Sequence, residues 1–223
     1  MTFSVAGICP DTGMVGCVIT SSSICVASRC AYTRDDVGVA LTQNVTNPLL
    51  GPLALDLLEQ GQTPANILPL LSNADTNIQY RQLGLLAANG EAMTFSGSEA
   101  LGIHATATGK NCLALGNLLA NDTIPAAMVA AFEAAEGPLA ERLLTALEAG
   151  LAAGGEMGPL HSAGLKVSAA SGWPVVDLRV DWHIAPLTEL RMIWQAYKPQ
   201  LNDYVTRAVQ PDAAASFGVP GDE

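Results

Sequence analysis

Cationic side chains are scarce in this chain: ten Lys and Arg stand against 21 Asp and Glu in 223 residues, for a formal net charge of −11. Nucleic-acid binding needs clustered Lys and Arg to meet phosphates, so that partner class is excluded. Charged residues of both signs together make up only 14%. The acidity is expected to keep an apolar, Ala-rich protein soluble and marks no particular partner. No apolar run reaches about 18 uninterrupted residues, which excludes a transmembrane helix, and no membrane partner is expected. The opening residues lack the basic, apolar and small-residue segments of a secretory signal. The cysteines (Cys9, Cys17, Cys25, Cys30 and Cys112) are odd in number and form no Cys-x-x-Cys. That count argues against a disulfide framework or a zinc site, and predicts small buried thiols in a reducing cytoplasm. His104, His161 and His183 make no His-x-x-x-His pattern, so no metal and no cofactor is expected. A Gly-x-Ser-x-Gly elbow and a Gly-rich phosphate loop are also missing.

What the chain has is apolar mass: 49% hydrophobic residues, enough for one domain with a substantial core. Thr2 to Cys9 and Met14 to Thr20 are apolar and β-branched about Pro10-Asp11-Thr12-Gly13, which predicts a hairpin. Val37 to Thr42 is a further short strand. Pro48 to Gln60 has helical composition and stops at Gly61, and Thr63-Pro64 then places an N-cap before a proline at the first helical position. Asn89-Gly90 between Gln82–Ala87 and Ala92–Phe95 is a strong hairpin signal. Asn111 to Leu118 predicts a strand, Thr123–Ala135 and Pro138–Leu151 helices, Ser162–Ala169 and Val175–Trp182 strands, and Thr188–Val205 a last helix. Pairs of helices returning to antiparallel hairpins point to an α+β fold with helices layered on sheet. No repeat or linker divides the chain. One domain over residues 1–205 is expected, followed by a loosely ordered tail, 206–223.

The residues that carry chemistry begin at Met1-Thr2-Phe3-Ser4. Removal of Met1 would give Thr2 a free α-amine beside its own hydroxyl, so that nucleophile and general base come from one residue. The alternative is an ordinary strand threonine, favoured there by β-branching. Gly116-Asn117 is the candidate oxyanion stabiliser, through the Asn amide or a backbone N–H at the glycine; a polar strand end with a glycine bulge is the other reading. Gln43, Asn44 and Asn47 form a polar cluster between a strand and a helix. They could bind substrate amide or carboxylate groups, or cap the helix from Pro48. Capping accounts for Asn47 and poorly for Gln43. Lys166 could lower the nucleophile's pKa or snorkel to solvent, and Arg29, like Arg34, could bind an anionic group or lie on the surface. A thiol enzyme using Cys25 or Cys30 is a further alternative.

These segments together resemble the bacterial domain of unknown function 1028 family, classed as like the N-terminal-nucleophile (Ntn) hydrolases. The resemblance rests on Thr2-Phe3-Ser4-Val5-Ala6 with its Pro-Asp-Thr-Gly turn, Val37 to Gln43 with Asn47-Pro48 and Gly51-Pro52, and Arg81-Gln82-Leu83-Gly84. Gly116-Asn117-Leu118-Leu119, Glu133 to Arg142 and Val176 to Val180 continue it, to about residue 198. It implies a four-layer αββα sandwich, two antiparallel sheets face to face with helices outside both, and a nucleophile at the head of the first strand. Glu156 to Ser162 departs from the family: only Glu156 and Gly158 echo its pattern, the basic residues are missing, and His161 stands where Gln is common. Two functions follow. One is an amidohydrolase cleaving a small C–N bond through an acyl-enzyme on Thr2, with Asn117 as catalytic partner and Arg29, Gln43, Asn47 and Gly116 around a small-molecule substrate. The other is a catalytically silent protein of the same fold that binds small molecules or supports assembly. A large apolar face with few charges makes a homodimer the simplest oligomer.

Overall fold

The computed structural model describes residues 1–219 and 221. Strands β1 (Thr2–Cys9) and β2 (Met14–Ser21) form the expected hairpin. Its turn ends on Gly13 at φ +69°, a left-handed conformation that favours glycine. A four-residue helix α1 (Ala27–Cys30) leads into β3 (Ala31–Arg34), and β4 (Gly38–Asn44) pairs with it. Helices α2 (Leu50–Glu59) and α3 (Pro64–Ala74) follow, the second capped by the Thr63 hydroxyl accepting from the Asn66 N–H. Next come β5 (Arg81–Ala87), β6 (Ala92–Ser96), β7 (Ala105–Gly109) and β8 (Cys112–Asn117), then helices α4 (Ile124–Ala134) and α5 (Leu139–Ala152). Strands β9 (Ser162–Ser168) and β10 (Pro174–Val180) and helices α6 (Pro186–Tyr197) and α7 (Leu201–Val209) complete the chain.

All strand pairs are antiparallel. They make a six-stranded sheet, β10-β9-β2-β1-β8-β7, and a four-stranded sheet, β3-β4-β5-β6. Alternation along β1 explains how the two meet. Phe3 and Val5 point into a core with Phe132, Leu143 and Leu147 of α4 and α5, while Ala6 and Ile8 point the other way, into a core shared with Val39, Leu41 and Leu86 of the smaller sheet. The far face of the smaller sheet packs Ala40, Leu83 and Leu85 against Leu55, Ile67 and Leu71 of α2 and α3. Helix α6 covers β9 and β10 through Leu187, Leu190 and Trp194. Gly7 and Gly16, paired in register, let the α4–α5 layer approach closely: a Cβ at Gly7 would lie 2.5 Å from the Phe132 ring, and one at Gly16 3.0 Å from Leu143 Cδ1.

The fold is thus α+β, with two antiparallel sheets and helices. Several elements differ from expectation. Strands β3 and β7 carry no clear sequence signal: β3 has four residues, and β7 is an edge of small and Thr side chains, half-exposed along its length. Strand β4 runs past Thr42 to Asn44, which carries Gln43 into the sheet. The expected final helix is split by a 3₁₀ turn at Lys198–Gln200, because Pro199 lacks an N–H for the α-helical ladder. Helix α7 then continues to Val209, into what was expected as tail; Pro211–Ala213 is a short 3₁₀ turn, and residues 220, 222 and 223 of that tail lie outside the described residues. Among the described residues no helix is long and apolar enough to cross a membrane.

Candidate functional site

Strand β1 is interior to its sheet, so Thr2 at its head has a neighbour on each side: Ser21 of β2 and Asn117 of β8. Ser162 of β9 pairs in turn with Ser21. A row of hydroxyl and amide side chains therefore crosses one end of the six-stranded sheet. By alternation from Ala6 and Ile8, the Thr2 and Ser4 side chains lie on the face toward the smaller sheet. Thr2 is only 5% exposed. Its Oγ1 donates to the Met1 carbonyl at 2.6 Å and lies 3.2 Å from Ser21 Oγ. The Ser21 hydroxyl also donates, in a short contact, to the Met1 carbonyl. One carbonyl oxygen is thereby held by two hydroxyls beside the Thr2 side chain. The hydroxyl chain continues from Ser21 to Ser23 at 2.8 Å and from Ser23 to the Arg29 guanidinium at 2.8 Å.

A second network connects the sheets below this row. Gln82 Nε2 donates to the Gly116 carbonyl at 2.9 Å and to Ser96 Oγ at 3.0 Å. A main-chain carbonyl can only accept, so the Gln82 amide has one orientation and its Oε1 faces Gln43 and Asn117. Both of those must donate: Gln43 Nε2 at 2.8 Å and Asn117 Nδ2 at 3.1 Å. Gln43 Oε1 then accepts from Ser4 Oγ at 2.8 Å. Gln43 is fully buried with its amide shared between Ser4 and Gln82, a bridge between the sheets. One of the two N–H groups of the Asn117 amide goes to Gln82, which leaves the second as a donor, and its unpartnered buried atom is Oδ1, an acceptor. The Ser21 hydroxyl is a further donor at this end of the sheet, bonded to the Met1 carbonyl. Gly116 stays in register with Phe3 and Ala105 without a bulge. Its missing side chain makes room for Leu119, 2.6 Å from where a Cβ would stand.

Glu156 reaches this end of the sheet by main-chain geometry. After α5, Gly154 and Gly155 turn at φ +129° and +63°. The Ala120 and Met157 N–H groups then bond to the Gly155 and Leu118 carbonyls, bridging Glu156 to Leu119 just past β8. The carboxyl is 7% exposed, and neither oxygen makes a hydrogen bond of full geometry. Burial pushes it up to about 7, opposed by the Met1 ammonium and the neighbouring Ser22. Glu156 also lines an open groove of about 460 Å³ with apolar walls from Leu151, Leu160, Ile184 and Leu187. The Met1 side chain lies against Gly158 of that lining, its Cε 2.8 Å from where a Cβ would be. Met1 thus stands between Thr2 and the groove.

The other expected residues sit elsewhere or are already engaged. Arg29 ties down the loop after β2, donating to the Ile24 and Cys25 carbonyls and to Ser23 Oγ. Asn47 Oδ1 accepts from the Leu49 N–H at the entry to α2, and its Nδ2 donates to Asp75 at 3.0 Å. That is capping, one of the two roles open to it. Lys166 pairs with Asp177 at 3.2 Å and stands opposite Cys17, which stands opposite Ala6, well down the sheet from Thr2. Cys30 is buried, and burial pushes its thiol up, away from a reactive thiolate. Among the described residues no group of three or more His, Cys, Asp and Glu side chains is placed to hold a metal ion. Ser21 and Glu156 were not among the expected site residues. The signal for Ser21 was the hairpin register: a turn closing Cys9 on Met14 carries Thr2 to Ser21.

Residues 2–190 match the model of a family described as a family of unknown function, DUF1028. The chain is also similar to the crystal structure of a DUF1028 protein from Silicibacter pomeroyi, with a TM-score of 0.86 and 29% sequence identity over 92% of this chain and 90% of that one. No curated protein matches it.

Proposed function

The chain belongs to the DUF1028 family, and from the arrangement around Thr2 we propose that it is an N-terminal-nucleophile amidohydrolase built on a four-layer αββα sandwich. The observation that carries this reading is the Thr2 hydroxyl at the head of a central strand, on a carbonyl that a second hydroxyl, Ser21, also holds. Removal of Met1 frees the Thr2 amine and opens the way from the groove at Glu156 to the Thr2 side chain. Thr2 Oγ1 then attacks the carbonyl carbon of a small amide while its proton passes to the Thr2 amine. The Ser21 hydroxyl donates to the oxygen on which negative charge collects. Collapse breaks the C–N bond, and the leaving amine takes the proton from the Thr2 ammonium. Water, deprotonated by the same amine, hydrolyses the ester and releases the acid.

The test starts with the intact mass of the protein expressed with its own untagged N-terminus. A species lighter by one methionine residue is expected, hydrolysing members of a small-amide panel. Thr2→Ala should lose about 10³-fold or more of that rate with an unchanged fold. Retention of Met1 in every molecule overturns the proposal. With Met1 in place Thr2 is covered and its hydroxyl is tied to the Met1 carbonyl, and that result would favour a silent binding protein of the same fold.

A further inference from the structure

The groove at Glu156 combines features that specify a ligand class. Its walls are Leu151, Leu160, Ile184 and Leu187 with Pro159 and Pro186, and among the described residues Glu156 is the one ionisable group in its lining. Ile184 is 87% exposed, so much of this apolar surface has no cover. Glu156 is 7% exposed, and its carboxyl oxygens have no well-formed hydrogen bond, with Ser22 as a neighbouring donor. A buried carboxyl left this way accepts an N–H donor or a cation gladly and resists an anion. The volume, about 460 Å³, suits a small ligand.

Met1 displays the matching chemistry. Its ammonium is the positive charge acting on Glu156, its thioether end lies on Gly158, and its carbonyl is held by the Thr2 and Ser21 hydroxyls. A free α-amine, an unbranched apolar side chain and an acyl carbon at the Thr2 hydroxyl are all parts of an aminoacyl group. We infer that the groove receives the aminoacyl end of an amide, a free primary α-amine with an apolar side chain, and that Glu156 recognises the amine. The destination of the acyl group rests on the Thr2 reading, whereas recognition of the amine does not require turnover. Glu156 is a specificity residue here, and the position now filled by Met1 is the subsite.

The experiment measures binding by calorimetry in the chain starting at residue 2, released from a cleavable fusion and carrying Thr2→Ala so that nothing is consumed. The probes are L-methioninamide and N-acetyl-L-methioninamide, which differ in the free amine. L-methioninamide is expected to bind at least 10-fold tighter than its acetylated form, and Glu156→Gln to remove at least 10-fold of its affinity. Equal binding of the two probes, or no binding of either at tens of millimolar, overturns the inference, and the probe comparison needs no folded Glu156 variant. Affinity for L-methioninamide that persists in a chain with no amide hydrolysis at Thr2 sinks the catalytic reading alone. Hydrolysis confined to N-acylated amides sinks this inference alone.

Discussion

Replacing Glu156 by Gln should stabilise the Met1-containing protein at alkaline pH and leave it nearly unchanged in acid. An exposed Glu ionises near 4.5, whereas burial holds the folded Glu156 up to about 7. Between those values the folded chain keeps a proton that the unfolded chain releases, so the unfolded state gains as pH rises. Stability is therefore full below 4.5, falls through the interval and levels off above 7. A gap of this size corresponds to about 3 kcal/mol at most, since each pKa unit is about 1.4 kcal/mol. Gln has nearly the shape of the protonated acid and cannot ionise, so it removes the fall. Urea denaturation of parent and variant at pH 4.5 and pH 8 reads the difference directly, and other titrating groups cancel between the two proteins. The variant should match the parent at pH 4.5 and exceed it by about 3 kcal/mol at pH 8. Equal stability at pH 8 would refute the buried, weakly partnered carboxyl on which the description of the groove rests.

Asp75 gives the opposite sign. Its carboxylate accepts from Arg81 Nε at 2.8 Å, Asn47 Nδ2 at 3.0 Å and the Asn77 N–H at 3.0 Å, and these bonds, Arg81 first, hold it down at about 2. Its contribution, on the order of 2 kcal/mol, is present above pH 4 and lost as pH falls through 2. Asp75→Asn should cost about 2–4 kcal/mol at pH 7, because it strands a largely buried Arg81, and the cost should shrink at pH 2; urea midpoints at both pH values check it. Gly84→Ala should destabilise by about 1–3 kcal/mol, since the new Cβ would stand 2.9 Å from both Leu113 Cδ1 and Leu115 Cδ2 between the sheets. An unchanged thermal midpoint would mean that the inter-sheet core yields more easily than its packing indicates.

The elements legible in the sequence were those whose signal is local. The Pro10–Gly13 and Asn89-Gly90 turns and the Thr63-Pro64 cap each occupy a few residues, and the hairpins and helix that they delimit lie where expected. Strand β7 was missed because an edge strand of Ala and Thr has no apolar face to alternate. It is held by pairing with β8, a contact that its own residues do not advertise. The end of β4 was missed for a related reason. Gln43 breaks the apolar run, and only its partners Ser4 and Gln82, both distant in sequence, make a buried glutamine tolerable.

The site follows the same logic. Thr2 stands out from the sequence by position and residue type, whereas Asn117 stands out by type alone, and type does not say which end of an amide is free. That is decided by the Gly116 carbonyl: it orients Gln82, Gln82 takes one Asn117 N–H and leaves the other, and Ser21 adds a hydroxyl donor beside Thr2. Glu156 is harder to see, because a single bridge to Leu119 and two glycines in left-handed conformations place it, and neither leaves a periodicity. Its carboxyl acquires meaning from what surrounds it: an apolar groove on one side, and on the other a methionine whose ammonium acts on it and whose carbonyl is held by the Thr2 and Ser21 hydroxyls. If Met1 were only a passive first residue, nothing would require its carbonyl to sit on two hydroxyls while its ammonium acts on a buried acid. On the proposed reading a substrate takes the place of these three contacts, so the processing of one residue would decide whether this end of the sheet is closed or open.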